Sequence, residues 1–306
     1  MKHPFILTVA VMALTALLSC SKQEEEGLVR ASFSISTVPF TRASADGDGA
    51  AASVNRFIME VYREDNGAFY DRVEKTVPSG TVKTTMDVSL VVGQTYSFVF
   101  WADCSKDGED LYYDTHSAVD HGLTEVRMTG SYKGNDDGRD AFFASVTDVA
   151  HHAFSNEILL TRPFAQVNVI TDDLESVSLG RLQPSGVAVS VEAFTSFNAL
   201  KGETTGTRSV LEYSAAPYYL GGGSGANSEN PSWTLSMDYL FASPEKEVLT
   251  RMAFTTEAGG RKVSRTFDNV PYRRNYRTNV YGSLLTAGGT YKVLIAPDFN
   301  TPDINL

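Results

Sequence analysis

Trp233-Thr234-Leu235-Ser236-Met237-Asp238-Tyr239-Leu240-Phe241 places a large apolar side chain at every second position, with small or polar residues between most of them. A period of two puts successive side chains on opposite faces of an extended strand, so one face is apolar and the other wet. The same alternation recurs along the chain. It is carried by Val29, Ala31, Phe33 and Ile35; by Val82, Thr84, Met86, Val88 and Leu90; and by Tyr96, Phe98 and Phe100. Ala165, Val167 and Val169 repeat it, as do Val187, Val189, Val191 and Ala193, and segments 247–256, 262–269, 276–284 and 290–296 complete the series. Half-buried strands imply antiparallel sheets rather than alternating strands and helices. Asp65-Asn66-Gly67, Pro78-Ser79-Gly80, Pro184-Ser185-Gly186, Ala258-Gly259-Gly260 and Ala287-Gly288-Gly289 carry the turn chemistry that separates strands. One short helix is expected, from Asp172 as its N-cap to Arg181, with Gly180 near its end. The fold class is all-β, an antiparallel β-sandwich architecture.

The amino terminus has a different organisation. Met1-Lys2-His3 is short and basic, Phe5–Leu18 is apolar apart from Thr8 and Thr15, and Leu17-Leu18-Ser19-Cys20 closes the run. That run has the length of a signal h-region and is too short to cross about 30 Å of hydrocarbon comfortably. A small residue before a cysteine, with Leu three positions ahead of it, resembles the bacterial lipobox. The resemblance implies cleavage after Ser19, lipid attachment at Cys20, and anchoring by several acyl chains at about 0.8 kcal/mol per buried CH₂. Ser21-Lys22-Gln23-Glu24-Glu25-Glu26 is polar and acidic, a solvated tether with nothing to bury. Cys20 is not followed by Asp, and Lys-Gln ahead of acidic residues resembles the surface-export signal of Bacteroidetes lipoproteins. The expected location is the outer membrane, on the cell surface.

Residues 1–19 are thus a signal peptide and 20–27 a lipidated tether, and 287 residues remain from Cys20 to Leu306, enough for two domains. Thr161-Arg162-Pro163 re-initiates strand patterning after Glu157-Ile158-Leu159-Leu160, so the expected division is a 28–160 sandwich followed by a 161–306 sandwich. Residues 130–140 read as a polar loop. The formal charge is −11, which argues against nucleic acid as a partner and against adsorption to anionic lipid. With Cys20 lipidated, Cys104 has no partner and no disulfide can staple the fold.

Three segments carry a family resemblance. Leu160-Thr161-Arg162-Pro163-Phe164-Ala165-Gln166-Val167 resembles the opening of the second domain in Bacteroidales fimbrillin-like lipoproteins, and Ser196-Phe197-Asn198-Ala199-Leu200-Lys201-Gly202 is similar to their Phe-Asn-x-x-x-Gly segment. Arg274-Asn275-Tyr276-Arg277-Thr278-Asn279-Val280-Tyr281-Gly282-Ser283-Leu284-Leu285-Thr286 resembles their penultimate strand. The resemblance runs in order along essentially the whole chain. It implies two transthyretin-like sandwiches in a structural or adhesive pilus subunit. Its partners would be other fimbrial subunits or copies of itself, or ligands on host or bacterial surfaces. It also implies polymerisation by strand donation once an Arg-specific protease removes the first strand. Strand 28–37 is followed by Pro39-Phe40-Thr41-Arg42-Ala43-Ser44, so Arg42 is the expected processing site, with Arg30 also available.

Catalytic templates fit poorly. There is no G-x-S-x-G, H-E-x-x-H, C-x-x-C or P-loop pattern, so no enzyme and no cofactor are expected. Gly221–Gly225 reads as a hairpin tip or loop. His116, His121, His151 and His152 lie near Asp114, Asp120 and Asp148 but match no metal spacing, and read as solvated loop residues. Asp46-Gly47-Asp48-Gly49 and Asn135-Asp136-Asp137-Gly138-Arg139-Asp140 are oxygen-rich, yet lack the alternating ligands and terminal Glu of a calcium loop. The alternative function is a surface glycan- or ligand-binding lipoprotein of a nutrient-uptake system. Trp101 and Tyr112-Tyr113 would be its stacking platform, although core packing suits Trp101 better.

Overall fold

The computed structural model describes residues 27–37, 53–116, 122–130, 132–173, 183–220, 232–244 and 247–296. Of the short helix expected from Asp172 to Arg181, Asp172 and Asp173 are described and not helical, and 174–181 lie outside the described residues. All regular structure described is strand, apart from two single 3-10 turns at Gly122–Thr124 and Asp137–Arg139.

Two sheets form the amino-terminal sandwich. One has β1 (Leu28–Thr37) between β4 (Lys83–Val91) and β10 (Phe154–Leu160). The other runs β3-β2-β5-β9, from β3 (Phe69–Thr76) through β2 (Arg56–Arg63) and β5 (Thr95–Asp103) to β9 (Phe142–Val149). Their facing side chains make one core, including Phe33, Phe57, Met86, Phe98, Phe100 and Phe142. The carboxy-terminal sandwich pairs two five-stranded sheets. In the first, β16 (Tyr218–Leu220), β17 (Ser232–Phe241), β11 (Phe164–Thr171), β20 (Arg277–Gly282) and β21 (Tyr291–Ala296) follow one another. In the second, the order is β19 (Arg261–Tyr272), β18 (Val248–Ala258), β12 (Pro184–Ala193), β15 (Ser209–Ala215) and β8 (Lys133–Gly134). Val167, Val189, Leu235, Met252, Phe254 and Leu285 lie in the core between them. A small sheet joins β14 (Glu203–Thr205), β13 (Ser196–Asn198), β7 (Val126–Met128) and β6 (Tyr113–Asp114).

Both sandwiches repeat one topology without repeating a sequence. In the first, β1 is antiparallel to β4 and parallel to β10; in the second, β11 is antiparallel to β17 and parallel to β20. These parallel pairings depart from the all-antiparallel expectation. They arise because the first strand of each sandwich meets a strand made much later, across a long connection.

The expectation of one wet face holds for β1 and β4, whose residues alternate between buried and more exposed. It fails for β2, β5, β11 and β17, which are buried on both faces. A third core accounts for the difference. Ile58, Tyr62, Val99 and Trp101, from the outer face of β2 and β5, meet Phe164, Met237, Tyr239 and Phe241 from β11 and β17. Phe197, Tyr113 and Val126 of the small sheet fill the space between. The Phe241 ring stacks on Phe197 (5.6 Å) and Phe164 (4.9 Å), and Tyr113 stacks on Phe164 (5.6 Å). A second correction concerns Pro184-Ser185-Gly186. Instead of a turn these residues begin β12, and the register against β18 shifts between Pro184 and Val187. A proline is tolerated at the first position of a strand, where a bulge absorbs the missing ladder bond.

Phe241→Ala removes the ring at the centre of the third core. The expected cost is about 3–5 kcal/mol, read as a lower urea midpoint.

Candidate functional site

The strongest functional geometry surrounds β1. Its nine pairs with β4 run from Leu28 opposite Val91 to Ser36 opposite Lys83, and its parallel pairs with β10 run from Ala31 opposite Phe154 to Thr37 opposite Leu160. The strand therefore has backbone partners along both edges. Ala31, Phe33 and Ile35 point inward and are buried. The Phe33 ring lies 4.6 Å from Phe98, 5.2 Å from Phe100 and 5.9 Å from Phe154. The outward residues Ser32, Ser34 and Ser36 are small, and Arg30 pairs with Asp87 at 2.6 Å. That bond from Arg30 holds the Asp87 carboxyl below the usual carboxylate range. Withdrawing β1 would leave a groove one strand wide, floored by Phe98 and Phe100 and walled by two unpaired edges.

Lipid attachment at Cys20, cleavage at Ser19 and processing at Arg42 all fall outside the described residues, as do Asp46–Gly49, Asp120, His121 and Gly221–Gly225. Arg30 lies within the β1–β4 ladder, opposite Ser89.

Trp101 and Tyr113 are buried, so they form no exposed platform. The Trp101 indole donates to Asp103 Oδ2 at 3.1 Å, and that carboxylate also holds Arg56 through two bonds at 2.9 and 2.8 Å. His116 joins a surface network, 3.0 Å from Asp110 and 2.8 Å from Glu74, while His151 and His152 are exposed.

The 130–140 segment does more than connect. β16 pairs with β17 only from Ser232 to Thr234, which leaves the rest of that edge open. Asn135 occupies it, its N–H donating to Met237 O and its Nδ2 to Leu235 O. The Tyr132 hydroxyl then donates to Tyr239 O (3.2 Å) and accepts from Tyr239 N (3.0 Å). Asn135 adopts a φ of 60°, a left-handed conformation that asparagine tolerates well. The loop's acids serve protein donors: Asp136 accepts from Gly138 N, Asp137 from Tyr239 Oη, and Asp140 pairs with the buried Arg162. Arg162 belongs to the Thr161-Arg162-Pro163 motif, and its guanidinium also lies over the Phe142 ring at 4.7 Å.

Asp238 is buried where this loop meets the second sandwich. Burial pushes its carboxyl up to about 7, against the Ser236 hydroxyl bonded to it and the nearby Tyr213 and Arg139, which pull it down. Arg139 itself lies 4.0 Å over the Tyr132 ring.

A family of unknown function (DUF6562) has a model that matches residues 21–305. The chain belongs to this family. A comparison with curated proteins finds no match. Among solved structures, the chain is similar to the fimbrial anchor protein Mfa2 of Porphyromonas gingivalis, with a TM-score of 0.50 at 12% identity, covering 88% of this chain and 98% of that one. The tip fimbrial protein Mfa3 of the same organism, with C-terminal truncation, gives 0.50 at 12%, covering 88% and 99%. A "putative polysaccharide binding" protein of Bacteroides thetaiotaomicron gives 0.50 at 14%, covering 89% and 99%. At these identities the likeness is one of fold, and that fold is the one the fimbrillin-like resemblance implied.

Two outcomes follow. Phe33→Ala should destabilise the amino-terminal sandwich by about 3–5 kcal/mol, measured by urea denaturation. Asp238 should give the stability a falling limb. The folded protein keeps a proton that the unfolded chain releases near pH 4, so stability declines as pH rises from about 4 to about 7 and then levels. Asp238→Asn should flatten that limb in urea midpoints taken between pH 4.5 and 7.5.

Proposed function

We propose that this chain is a fimbrillin-like surface lipoprotein, a structural or adhesive pilus component in which β1 is an exchangeable strand. The observation that carries the reading is the seat of β1. Its apolar inward face, Ala31, Phe33 and Ile35, lies between a backbone ladder to β4 and another to β10. An incoming strand with the same alternation could regain both ladders and the Phe98–Phe100 floor. Main-chain bonds would supply affinity and the alternate side chains specificity. The fold likeness to a fimbrial anchor and a fimbrial tip protein supports the same reading.

In this proposal Cys20 carries the lipid after cleavage at Ser19, residues 20–27 span from the outer membrane to the body, and the body divides into 28–160 and 161–306 sandwiches, with β8 and Tyr132 of the first stretch crossing to the second sandwich. Arg42 decides the role. A cut there severs the body from both lipid and β1 and opens the seat to another subunit, whereas an uncut chain stays anchored. Arg30 is a poor target, because a protease reaching it must first pull apart a paired strand.

Brief treatment of the folded chain with an Arg-specific protease should yield a body beginning at Ala43. After cleavage, a labelled Leu28–Thr37 peptide should exchange into the body, while the uncut chain takes up none. A folded chain that resists cutting between residues 38 and 52, or a cut body that ignores the peptide, overturns the strand-exchange reading.

A further inference from the structure

The β18–β19 hairpin and the segment after β20 line a half-open cavity of about 490 Å³, within the range of small-ligand pockets. Its apolar floor includes Ala258 and Leu285, both buried, and Val263. Arg261, Lys262 and Arg265 also line it, and none of the lining residues is acidic. Arg265 is held in place. Its Nε donates to Leu284 O at 2.9 Å and its Nη2 to Thr286 O, bonds that do not involve Nη1. Arg261 and Lys262 are exposed and make no ion pair among the described residues, although Glu257 stands across the ladder from Lys262. A lining with three cations and no acidic residue stands out in a chain of charge −11.

We propose that this cavity binds a single acidic sugar unit, carboxylate- or sulfate-bearing, of a glycan. An arginine fork matches the paired oxygens of either group, and an ammonium adds a point charge. Global charge decides the size of the ligand. A net-negative surface repels an extended polyanion, so attraction must be local, and the cavity suits one compact acidic residue. An exposed aromatic ring lies outside the cavity lining, packed on the strand that carries the cations. Phe267 follows Arg265 by two positions on β19, and the Tyr291 ring packs edge-on to it at 4.8 Å while remaining 47% exposed. Phe267 is itself buried, so it is the exposed Tyr291 face that could stack on the apolar side of a pyranose. The proposal is independent of strand exchange, since every residue it uses lies in the second sandwich.

Isothermal titration of the folded full chain with trigalacturonate, a sulfated chondroitin disaccharide, maltotriose and inorganic phosphate tests it. Saturable one-to-one binding is expected for at least one acidic saccharide, weakening as salt rises. The Arg261→Ala/Lys262→Ala double variant should weaken it roughly tenfold or more. A Lys83→Ala/Arg127→Ala control removes the same charge from the first half of the chain and should leave binding unchanged. Equal thermal midpoints for all three proteins establish that the variants fold. Failure of both acidic saccharides, equal binding of maltotriose, or equal loss in both double variants overturns the proposal. Phosphate binding as tight as the saccharides' overturns the sugar assignment.

Discussion

Everything in this molecule depends on the burial of four strands on both faces. β2 and β5 give one face to the first sandwich core and the other to the aromatic core they share with β11 and β17. A sheet face carrying Ile58, Val99 and Trp101 cannot be left in water, and neither can one carrying Phe164, Tyr239 and Phe241. Each covers the other. At about 25 cal/mol per Å² of apolar surface, the stacked rings of Phe164, Phe197 and Phe241 contribute on the scale of a whole domain's net stability. The buried ion pairs Arg56–Asp103 and Arg162–Asp140 lie in or beside this shared layer. Their specificity of placement matters more than their energy, because desolvation offsets most of the attraction between buried charges.

The aromatic layer leaves the opposite side of the first sandwich as its outer sheet, and there the rules reverse. β1, β4 and β10 present a wet face of serines and paired charges, and only their inner face is committed to the core. A strand in that position takes no part in the junction between sandwiches. The second sandwich has the same arrangement of first strand and parallel partner in β11 and β20, but β11 is covered on both faces and its seat is closed. The repeated topology therefore yields one first strand with a wet outer face and one buried on both faces, and the difference comes from what lies against the outer face.

Much of this was legible in the sequence. Alternation located most of the long strands, and the Ala258-Gly259-Gly260 hairpin follows from two residues with positive φ. Alternation could not show that Asp238, Ser236 and Glu60 are buried, because a polar residue at an outward position reads as wet until another layer covers it. It also mistook the start of β12 for a turn, since proline and glycine mark bulges as well as reversals. The role of Tyr132 was hidden in a segment whose composition says loop. Its signal was a lone aromatic residue among Gly, Asn and Asp, and such an isolated ring usually has a socket. The inward face of β1 could be read from Val29 to Ile35, but its two-sided pairing could not, because the β10 partner lies far along the chain. The cation-lined cavity gave no local pattern at all, since its residues come from a hairpin and a distant connection.

The parallel ladder between β1 and β10 also governs the order of events when the chain is made. Ala31 is among the first residues of the body to emerge, yet its neighbour Phe154 is synthesised only after every other strand of the first sandwich. Contacts this distant are slow to form, because a long loop must close before any bond rewards it. β4 and β5 can pair their neighbours first, and until β10 arrives the seat of β1 has only one wall. The nascent protein thus passes through a stage in which its own first strand competes with any other extended apolar segment nearby.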